Sequence, residues 1–427
     1  MSQGSASRLG SVFVNGVRYE VDGAQIVVNG TAATPAALKA GQVLQVVGDV
    51  EVGGREGDAE SVTYENTVRG RVTQLSLVDR TLTILGQQVR VGLETVFAPD
   101  ISPGDIESLS VGDDLVVSAF VDANGQLRAS RIDRDGSPGT AEVVGAVSAV
   151  DSVAKRFQLN ALVVDYRTAV PSGFTGSDPS NGDLVRVTGP LPAAGSPLAA
   201  TTLASRTPLV GATDDNVNVE GLVTRLASGA DFDVGGQRVV TNASTAFVGT
   251  TSAALQVNDF VDVQGKRDAT GGLVAVRVEA FPPADIQIEA RLDAVDAAAG
   301  TLGLLGITVN TTARTRFVAD DDGAFSLADL RAGDAVEIAG YVADGRFVAV
   351  RVENDDDGGE VEIEGPATDL ADPEFRIGGI RIVTDALTEF DDTSRAEFFS
   401  TGAGRRVEVE GTWTGTFVLA TEVELDN

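Results

Sequence analysis

The chain has 427 residues, and its 63 acidic and 32 basic side chains leave a formal net charge of −31. A field of that sign repels phosphate backbones, so we expect no general binding to nucleic acid or to anionic membranes. Cysteine and histidine are both absent, which excludes thiolate catalysis, cysteine-ligated metals and the serine–histidine–aspartate triad.

The N-terminal residues MSQGSASR have neither the charged n-region nor the apolar h-region of a secretory signal peptide. No apolar run reaches the roughly 18 residues that a bilayer-spanning helix needs, so the sequence predicts no transmembrane segment. The first strand would be GSASRL (4–9), whose small polar side chains bury little apolar area. We therefore expect this strand to hold its sheet weakly and, if the chain polymerises, to accept a neighbour's strand.

A core motif of the form GD-x-V-x-V-x-G recurs along the whole chain. Its copies are GQVLQVVG (41–48), GDDLVVSA (112–119), GDLVRVTG (182–189), NDFVDVQG (258–265), GDAVEIAG (333–340) and GRRVEVEG (404–411). Their last residues lie 71, 70, 76, 75 and 71 residues apart. Such a constant interval predicts six tandem repeats of about 70 residues. They are repeat 1 (1–65), repeat 2 (66–137), repeat 3 (138–211), repeat 4 (212–283), repeat 5 (284–358) and repeat 6 (359–427).

Each repeat contains the same succession of short strands. In repeat 2 an opening strand, VRGRVTQLS (68–76), precedes a glycine-tipped hairpin, TLTILGQQVRV (81–91). A single helical turn then precedes the core motif, as in SLADLRAG (326–333), and a closing strand such as FVAVRVEND (347–355) follows it. Apolar and polar residues alternate with period two, which is typical of half-buried strands. A lone sheet of this size would leave unpaired edges, so the sequence predicts an all-β protein of six small OB-like β-barrels in an extended array.

Several shared motifs accompany this pattern. They include G-x-V-x-x-V/L in the opening strands, the V-L-G-x-x-V hairpin, and T-x-F at Thr95-Val96-Phe97, Thr245-Ala246-Phe247, Thr315-Arg316-Phe317 and Thr388-Glu389-Phe390. With these motifs the chain resembles the bacterial domain-of-unknown-function family 5666, a repeat found mainly in envelope proteins of proteobacteria. The resemblance implies a small β-barrel and an extracytoplasmic location in the periplasm, at the outer-membrane surface or in the medium. It supplies no catalytic or binding residues.

Two departures from the family pattern are visible. The family's opening segment, here GSVFVNGVRYEV, usually follows a lipoprotein signal and its cysteine, which this sequence lacks. Repeat 3 has Thr168-Ala169-Val170 in place of T-x-F and a proline-rich loop, PLPAAGSPLAA (190–200). We therefore expect the barrel of repeat 3 to be irregular.

Two aspartate runs are the only candidate metal ligands in the sequence. They are Asp320, Asp321 and Asp322 before Gly323, and Asp355, Asp356 and Asp357 before Gly358. Calcium takes clustered carboxylates, but consecutive aspartates in a turn point in different directions. Aspartate and glycine are also ordinary turn residues. We interpret both runs as structural turns, with a weak calcium site as the alternative, and expect no cofactor.

Three further motifs have a functional and a structural interpretation. Ser152-Val153-Ala154-Lys155 matches the S-x-x-K pattern of penicillin-recognising enzymes, but it lies between two strands and the companion motifs are absent, so we regard it as coincidence. The T-x-F phenylalanines could form an aromatic platform, yet their fixed place predicts that each fills its own barrel while the threonine ties a turn. For Trp413 we favour ordinary packing over an exposed binding side chain.

These observations favour a non-catalytic, extracytoplasmic repeat protein that acts as a scaffold or as an array binding a protein or envelope partner. The first alternative is a subunit of an extracellular filament, self-associated by β-strand exchange. The second is a hydrolase that uses a pair of carboxylates, which would need two acidic side chains in one cleft.

Overall fold

The computed structural model describes residues 1–8, 11–50, 55–102, 104–174, 176, 178–206, 215–319, 321–354 and 361–425. The protein is all-β, and the described residues include one α-helix, α1 (Arg395–Thr401). Among these residues, no helix has the length and apolar character to span a membrane.

In the described part of the chain, forty strands follow the succession expected from the sequence. Repeat 1 contains β1 (Ser2–Arg8), β2 (Val12–Val14), β3 (Val17–Glu20), β4 (Gln25–Val28), β5 (Thr31–Ala33), β6 (Val43–Val50) and β7 (Glu56–Tyr64). Repeat 2 contains β8 (Val68–Ser76), β9 (Thr81–Ile84), β10 (Gln87–Arg90), β11 (Val96–Phe97), β12 (Asp114–Val121) and β13 (Leu127–Arg134). Repeat 3 contains β14 (Thr140–Ala146), β15 (Ser148–Asp151), β16 (Arg156–Leu159), β17 (Leu162–Asp165), β18 (Pro171–Ser172), β19 (Leu184–Pro190), β20 (Leu198–Ala199) and β21 (Thr202–Ser205).

The second half of the chain continues the pattern. Repeat 4 contains β22 (Asn216–Ser228), β23 (Asp231–Val234), β24 (Gln237–Val240), β25 (Ala246–Val248), β26 (Phe260–Arg267) and β27 (Leu273–Phe281). Repeat 5 contains β28 (Ile286–Arg291), β29 (Ala294–Asp296), β30 (Thr301–Leu304), β31 (Ile307–Asn310), β32 (Arg316–Val318), β33 (Ala335–Ala343) and β34 (Arg346–Asn354). Repeat 6 contains β35 (Val361–Ala371), β36 (Glu374–Ile377), β37 (Ile380–Val383), β38 (Glu389–Asp391), β39 (Arg406–Trp413) and β40 (Val418–Leu425). Short 3₁₀ turns at Pro35–Ala37 and Ile106–Ser108 precede two of the core motifs.

The strands of repeat 2 close a small barrel. Strand β8 pairs with β9, β9 with β10, β10 runs parallel to β13, β13 pairs with β12, and β12 returns to β8. Repeat 4, repeat 5 and repeat 6 pair their corresponding strands in the same circular order. Closure pairs the edges that an open sheet of this size would expose.

The glycine that ends the core motif has a structural explanation. At Gly265 and Gly340 the ladder between the last two strands shifts register, which is a β-bulge that bends the strand around the barrel. A Cβ atom would clash with the backbone carbonyl oxygen of Val274 at the first position and of Val348 at the second. At these two positions glycine therefore allows the close approach of the two backbones.

The barrel of repeat 3 is interrupted, as expected from its sequence. Its opening strand is divided into β14 and β15 and its closing strand into β20 and β21, with the proline-rich loop before β20. The two halves form separate sheets: β15 pairs with β16, β16 with β17 and β17 with β20, while β14 pairs with β19 and β19 with β21. Val170, which stands where the other repeats have the T-x-F phenylalanine, is exposed, and Ala169 before it is buried.

Contacts divide the chain into two compact units. The first unit comprises Met1–Ala6 and Val17–Phe281, and the second comprises Ser7–Gly16 and Pro282–Asn427. The predicted repeat boundaries near residues 66, 138 and 284 fall between strands, while those near 212 and 359 lie outside the described residues.

Within each unit, opening strands join the repeats in pairs. In the first unit β8 pairs with β14, joining repeat 2 to repeat 3, and β1 runs parallel to β22, joining repeat 1 to repeat 4. In the second unit β28 pairs with β35, joining repeat 5 to repeat 6. Repeats 2 and 3 share one hydrophobic core, and so do repeats 5 and 6. The first unit is therefore not an array in chain order, because repeat 1 pairs with repeat 4 rather than with its neighbour in sequence.

The opening strand of repeat 1 is not an open edge. Strand β1 pairs with β6 on one side and with β22 on the other. Its small side chains are covered rather than solvated: Ser2 shares a 2.5 Å hydrogen bond with the hydroxyl of Tyr19, and the Ser5 hydroxyl donates to Glu220 at 2.8 Å. At Ser2 and Gln3 both edges of β1 are paired, and acceptance of a neighbour's strand along the rest of β1 stays a prediction.

Candidate functional site

The T-x-F threonines tie each barrel together, as expected. Thr315 donates to the carbonyl of Ala349 on the closing strand at 2.8 Å and accepts the N–H of Thr312 at 2.8 Å. The corresponding threonines donate to Ala129, Ala275 and Ala420, and Thr168 donates to Ala200. Phe97 and Phe317 are buried, while Phe247 and Phe390 are partly buried against the cores. The T-x-F motif therefore stabilises the folded barrels.

A second recurring set consists of arginines on the closing strands, each paired with the carboxylate two residues later. They are Arg131 with Asp133, Arg277 with Glu279 and Arg351 with Glu353. Arg131 has no exposed side-chain surface, and it also donates to the carbonyl of Ala40 at 3.1 Å. Each of these pairs lies within one strand, while Arg351 also contacts Glu337 on β33 and Arg131 joins two repeats of the first unit.

In repeat 6 acidic residues replace this arginine pair. Glu422 faces Glu410 and Glu389 in register, and Glu410 faces Glu362 on the next strand. Burial raises the pKa of Glu422, and the negative charges of Asp391 and Glu410 add to the effect. We call the outward carboxylates of β35, β38, β39 and β40 the acidic face.

The predicted calcium candidates are only partly described. Asp321 accepts the backbone N–H of Gly323 at 2.8 Å, and Asp322 has a φ of 59°, both of which are typical of a turn. Asp320, Asp355, Asp356 and Asp357 lie outside the described residues. Among those described, no group of three acidic side chains is placed to hold a metal ion. Calcium binding therefore stays a prediction.

The remaining motifs have structural partners. Lys155 lies in the loop between β15 and β16 and contacts Asp178 at 2.7 Å. Trp413 is half-buried and packs against the core shared by repeats 5 and 6. A Cβ atom on Gly306, at the hairpin tip of repeat 5, would lie 3.2 Å from the Trp413 ring. The packing interpretation of Trp413 is confirmed.

One feature not foreseen from the sequence is a cavity of about 680 Å³ in the first unit, where repeats 1 to 4 meet. Repeat 1 contributes Gln3, Val43, Gln45, Thr63 and Glu65; repeat 2 contributes Thr67, Gln87, Phe120 and Asp122; repeat 3 contributes Ala146, Asn160, Asp183, Ser205 and Arg206; and repeat 4 contributes Glu220, Leu222, Thr224 and Gln237. In sequence these residues are outward positions of alternating strands, which predict only a solvated face. The cavity depends on repeats far apart in the chain.

Direct contacts between repeats hold the cavity walls in place. Ser118 of repeat 2 accepts the N–H of Val43 at 2.8 Å, and the Phe120 ring meets Phe260 of repeat 4 edge-on at 5.1 Å. Between repeats 2 and 3, the Gln87 amide donates to the carbonyl of Leu159 at 2.9 Å. The walls are therefore formed by packed barrels rather than by loops alone.

Arg206 is the only basic residue among those that line the cavity. It contacts Glu65 at 3.2 Å, and Glu65 also contacts Arg186 at 3.4 Å. Its side chain keeps about a third of its surface accessible (36%) because it faces the cavity. Burial nevertheless lowers the pKa of Arg206, and the negative charge of Glu65, which raises that pKa, only partly offsets the effect. Glu220 also lines the cavity and is held by Ser5, so both carboxylates are already engaged.

Comparison with known families gives one match. The family described as Domain of unknown function (DUF5666) matches residues 69–133, 220–279, 289–353 and 364–424. These ranges fall in repeats 2, 4, 5 and 6, which carry the T-x-F motif, and together they cover more than half of the chain. A search of curated proteins finds no match. The chain belongs to the DUF5666 family.

Proposed function

We propose that this protein is a non-catalytic, extracytoplasmic scaffold or binding array built from six OB-like barrels. The circular strand order of repeat 2, in which the third strand of the barrel runs parallel to the fifth, supports the OB-like assignment. The family resemblance supports a location in the bacterial envelope or outside the cell.

The proposal rests on the role of the recurring polar groups, which is to hold the barrels together. In every T-x-F repeat the threonine hydroxyl is hydrogen-bonded to the closing strand, and the arginines of β13, β27 and β34 are paired with neighbouring carboxylates. A catalytic array would repeat a nucleophile or a general base with open access to a substrate. Here the repeated polar contacts stabilise the fold, while the loops and outward-facing residues differ between repeats.

The hydrolase alternative needs one carboxylic acid and one ionised carboxylate facing a common substrate. The most enclosed carboxylates at the cavity are Glu65 and Glu220, but the first is shared by two arginines and the second accepts from Ser5. The geometry therefore favours a binding role over hydrolysis.

The assembly state separates a scaffold from the filament alternative. Size-exclusion chromatography with light scattering and electron microscopy should find the full chain as discrete particles, because β1 is paired on both edges at Ser2 and Gln3. Ordered filaments would refute the scaffold proposal and support strand exchange. Fractionation of the native bacterium with a specific antibody should place the protein outside the cytoplasm, and a cytoplasmic signal would refute that part.

A nucleic-acid partner is tested separately, because OB-like barrels often bind single strands through a basic, aromatic groove. With a net charge of −31 and 5% aromatic residues, the chain should not shift single- or double-stranded oligonucleotides in a gel at low salt. Sub-micromolar binding would contradict the proposal.

A further inference from the structure

The cavity of the first unit is too large to be a packing defect. Protein interiors are close-packed and contain few voids larger than a water molecule. A volume of about 680 Å³ lies instead within the range of small-molecule sites. Residues of four repeats line it, and contacts between the repeats hold these residues in place without a ligand. The site is therefore preformed.

Its electrostatics exclude anionic ligands. The lining residues include four carboxylates, Glu65, Asp122, Asp183 and Glu220, against the single cation Arg206. Arg206 is already paired with Glu65. A phosphate or carboxylate ligand would meet a net negative wall inside a chain of strongly negative charge, and that repulsion grows as water is excluded.

Neutral hydrogen-bonding groups line the wall formed by repeat 1. Gln45 is the register partner of Gln3 on one side and of Thr63 on the other, so the three side chains form a row across β1, β6 and β7. Side chains of register partners lie about 5 Å apart on one face of a sheet. Within the described part of the chain, the Gln45 amide and the hydroxyls of Thr63 and Ser205 have no hydrogen-bond partner.

Apolar surface alternates with these groups. Phe120 is nearly buried and presents its remaining surface to the cavity beside Val43 and Leu222. An acyl chain would leave the amide and hydroxyl groups without partners, at a cost for each buried polar group. A sugar ring offers both kinds of surface, since its hydroxyls donate and accept while its C–H faces pack against aromatic and aliphatic side chains.

We propose that this cavity binds a short neutral oligosaccharide, with Gln45, Thr63 and the hydroxyl of Ser205 as hydrogen-bonding groups and Phe120 as the apolar wall. This deepens the proposed binding role and rests on it. If the chain forms discrete particles but binds no sugar, the scaffold role stands and this inference falls.

Isothermal titration calorimetry on the full chain tests the site with three neutral probes: chitotriose, cellotriose and maltotriose. At least one should bind with a dissociation constant below about 1 mM, which is the weak end of the specific range. Binding by none of the three would overturn the proposal.

Two variants locate the binding. The double substitution Gln45→Leu and Thr63→Val removes hydrogen-bonding groups while keeping volume, and should weaken binding at least tenfold. Ala146→Trp fills the cavity from a position whose side chain is exposed, so it should block binding without disturbing the cores.

Gln158→Leu is the matched control, because Gln158 is exposed on β16 and is not among the cavity-lining residues. It should bind the probe as the native chain does. Thermal unfolding followed by circular dichroism checks that each variant is folded. A folded Ala146→Trp protein with unchanged affinity would overturn the assignment of the probe to this cavity, even if the double variant fails to fold.

Discussion

Replacing Thr315 by valine tests whether the T-x-F threonine stabilises its barrel through hydrogen bonds. The Thr315 side chain is fully buried, donates to Ala349 at 2.8 Å and accepts from Thr312 at 2.8 Å. Valine keeps the shape but removes the hydroxyl, so a buried carbonyl and a backbone N–H both lose this partner. Each such loss costs roughly 1–3 kcal/mol. We expect Thr315→Val to lower the free energy of unfolding of the second unit by about 3 kcal/mol.

Thr388→Val is the matched comparison in the same unit. Thr388 makes the same two hydrogen bonds, to Ala420 at 2.8 Å and from Asp385 at 2.9 Å, but it is only half-buried. Water can replace the hydroxyl there, so the expected loss is about 1 kcal/mol. The difference between the two variants isolates the effect of burial on one repeated interaction.

Urea unfolding followed by tryptophan fluorescence measures both variants. Trp413 is the only tryptophan in the chain, and it packs in the second unit. If the free energy of unfolding falls by about 2 kcal/mol per M of urea, Thr315→Val should lower the unfolding midpoint by about 1.5 M. Equal losses in the two variants, or a loss in Thr315→Val below about 1 kcal/mol, would refute the hydrogen-bond explanation.

Two further predictions concern pH. The guanidinium of Arg167 lowers the pKa of Asp165 to about 2, so this carboxylate stabilises the first unit above its ordinary pKa of about 3.9 and the contribution is lost as pH falls towards 2. Asp165→Asn should therefore lower the melting temperature at pH 7 and less so at pH 2.5, and an equal loss at both values would contradict this. Glu422 affects stability in the opposite direction to Asp165. Its pKa is raised, so its charge destabilises the second unit as pH rises through that pKa. Glu422→Gln should raise the urea midpoint at pH 8, read by Trp413, and an unchanged or lower midpoint would contradict the repulsion.

Much of each barrel could be predicted from the sequence because its causes are local. Period-two alternation, hairpin glycines and the core motif depend on residues within about 70 positions. The threonine tie was foreseen for the same reason, since T-x-F and the closing strand keep a constant separation in each repeat. The departures at Thr168-Ala169-Val170 and in the proline-rich loop likewise correspond to the interrupted strands of repeat 3.

The sequence did not predict which strands the opening strands pair with. These pairings determine which repeats lie next to each other. Strands β1, β8 and β28 all open their repeats, yet β8 and β28 pair with the next repeat whereas β1 pairs with β22 of repeat 4. Backbone hydrogen bonds are the same for every sequence, so alternation specifies that a strand needs a partner and not which strand it will be. The sequence by itself determined the repeat, its strands and the residues that tie them. Only tertiary structure decided which repeats meet, because the cavity and its row of glutamine and threonine side chains arise where surfaces distant in the chain pack together.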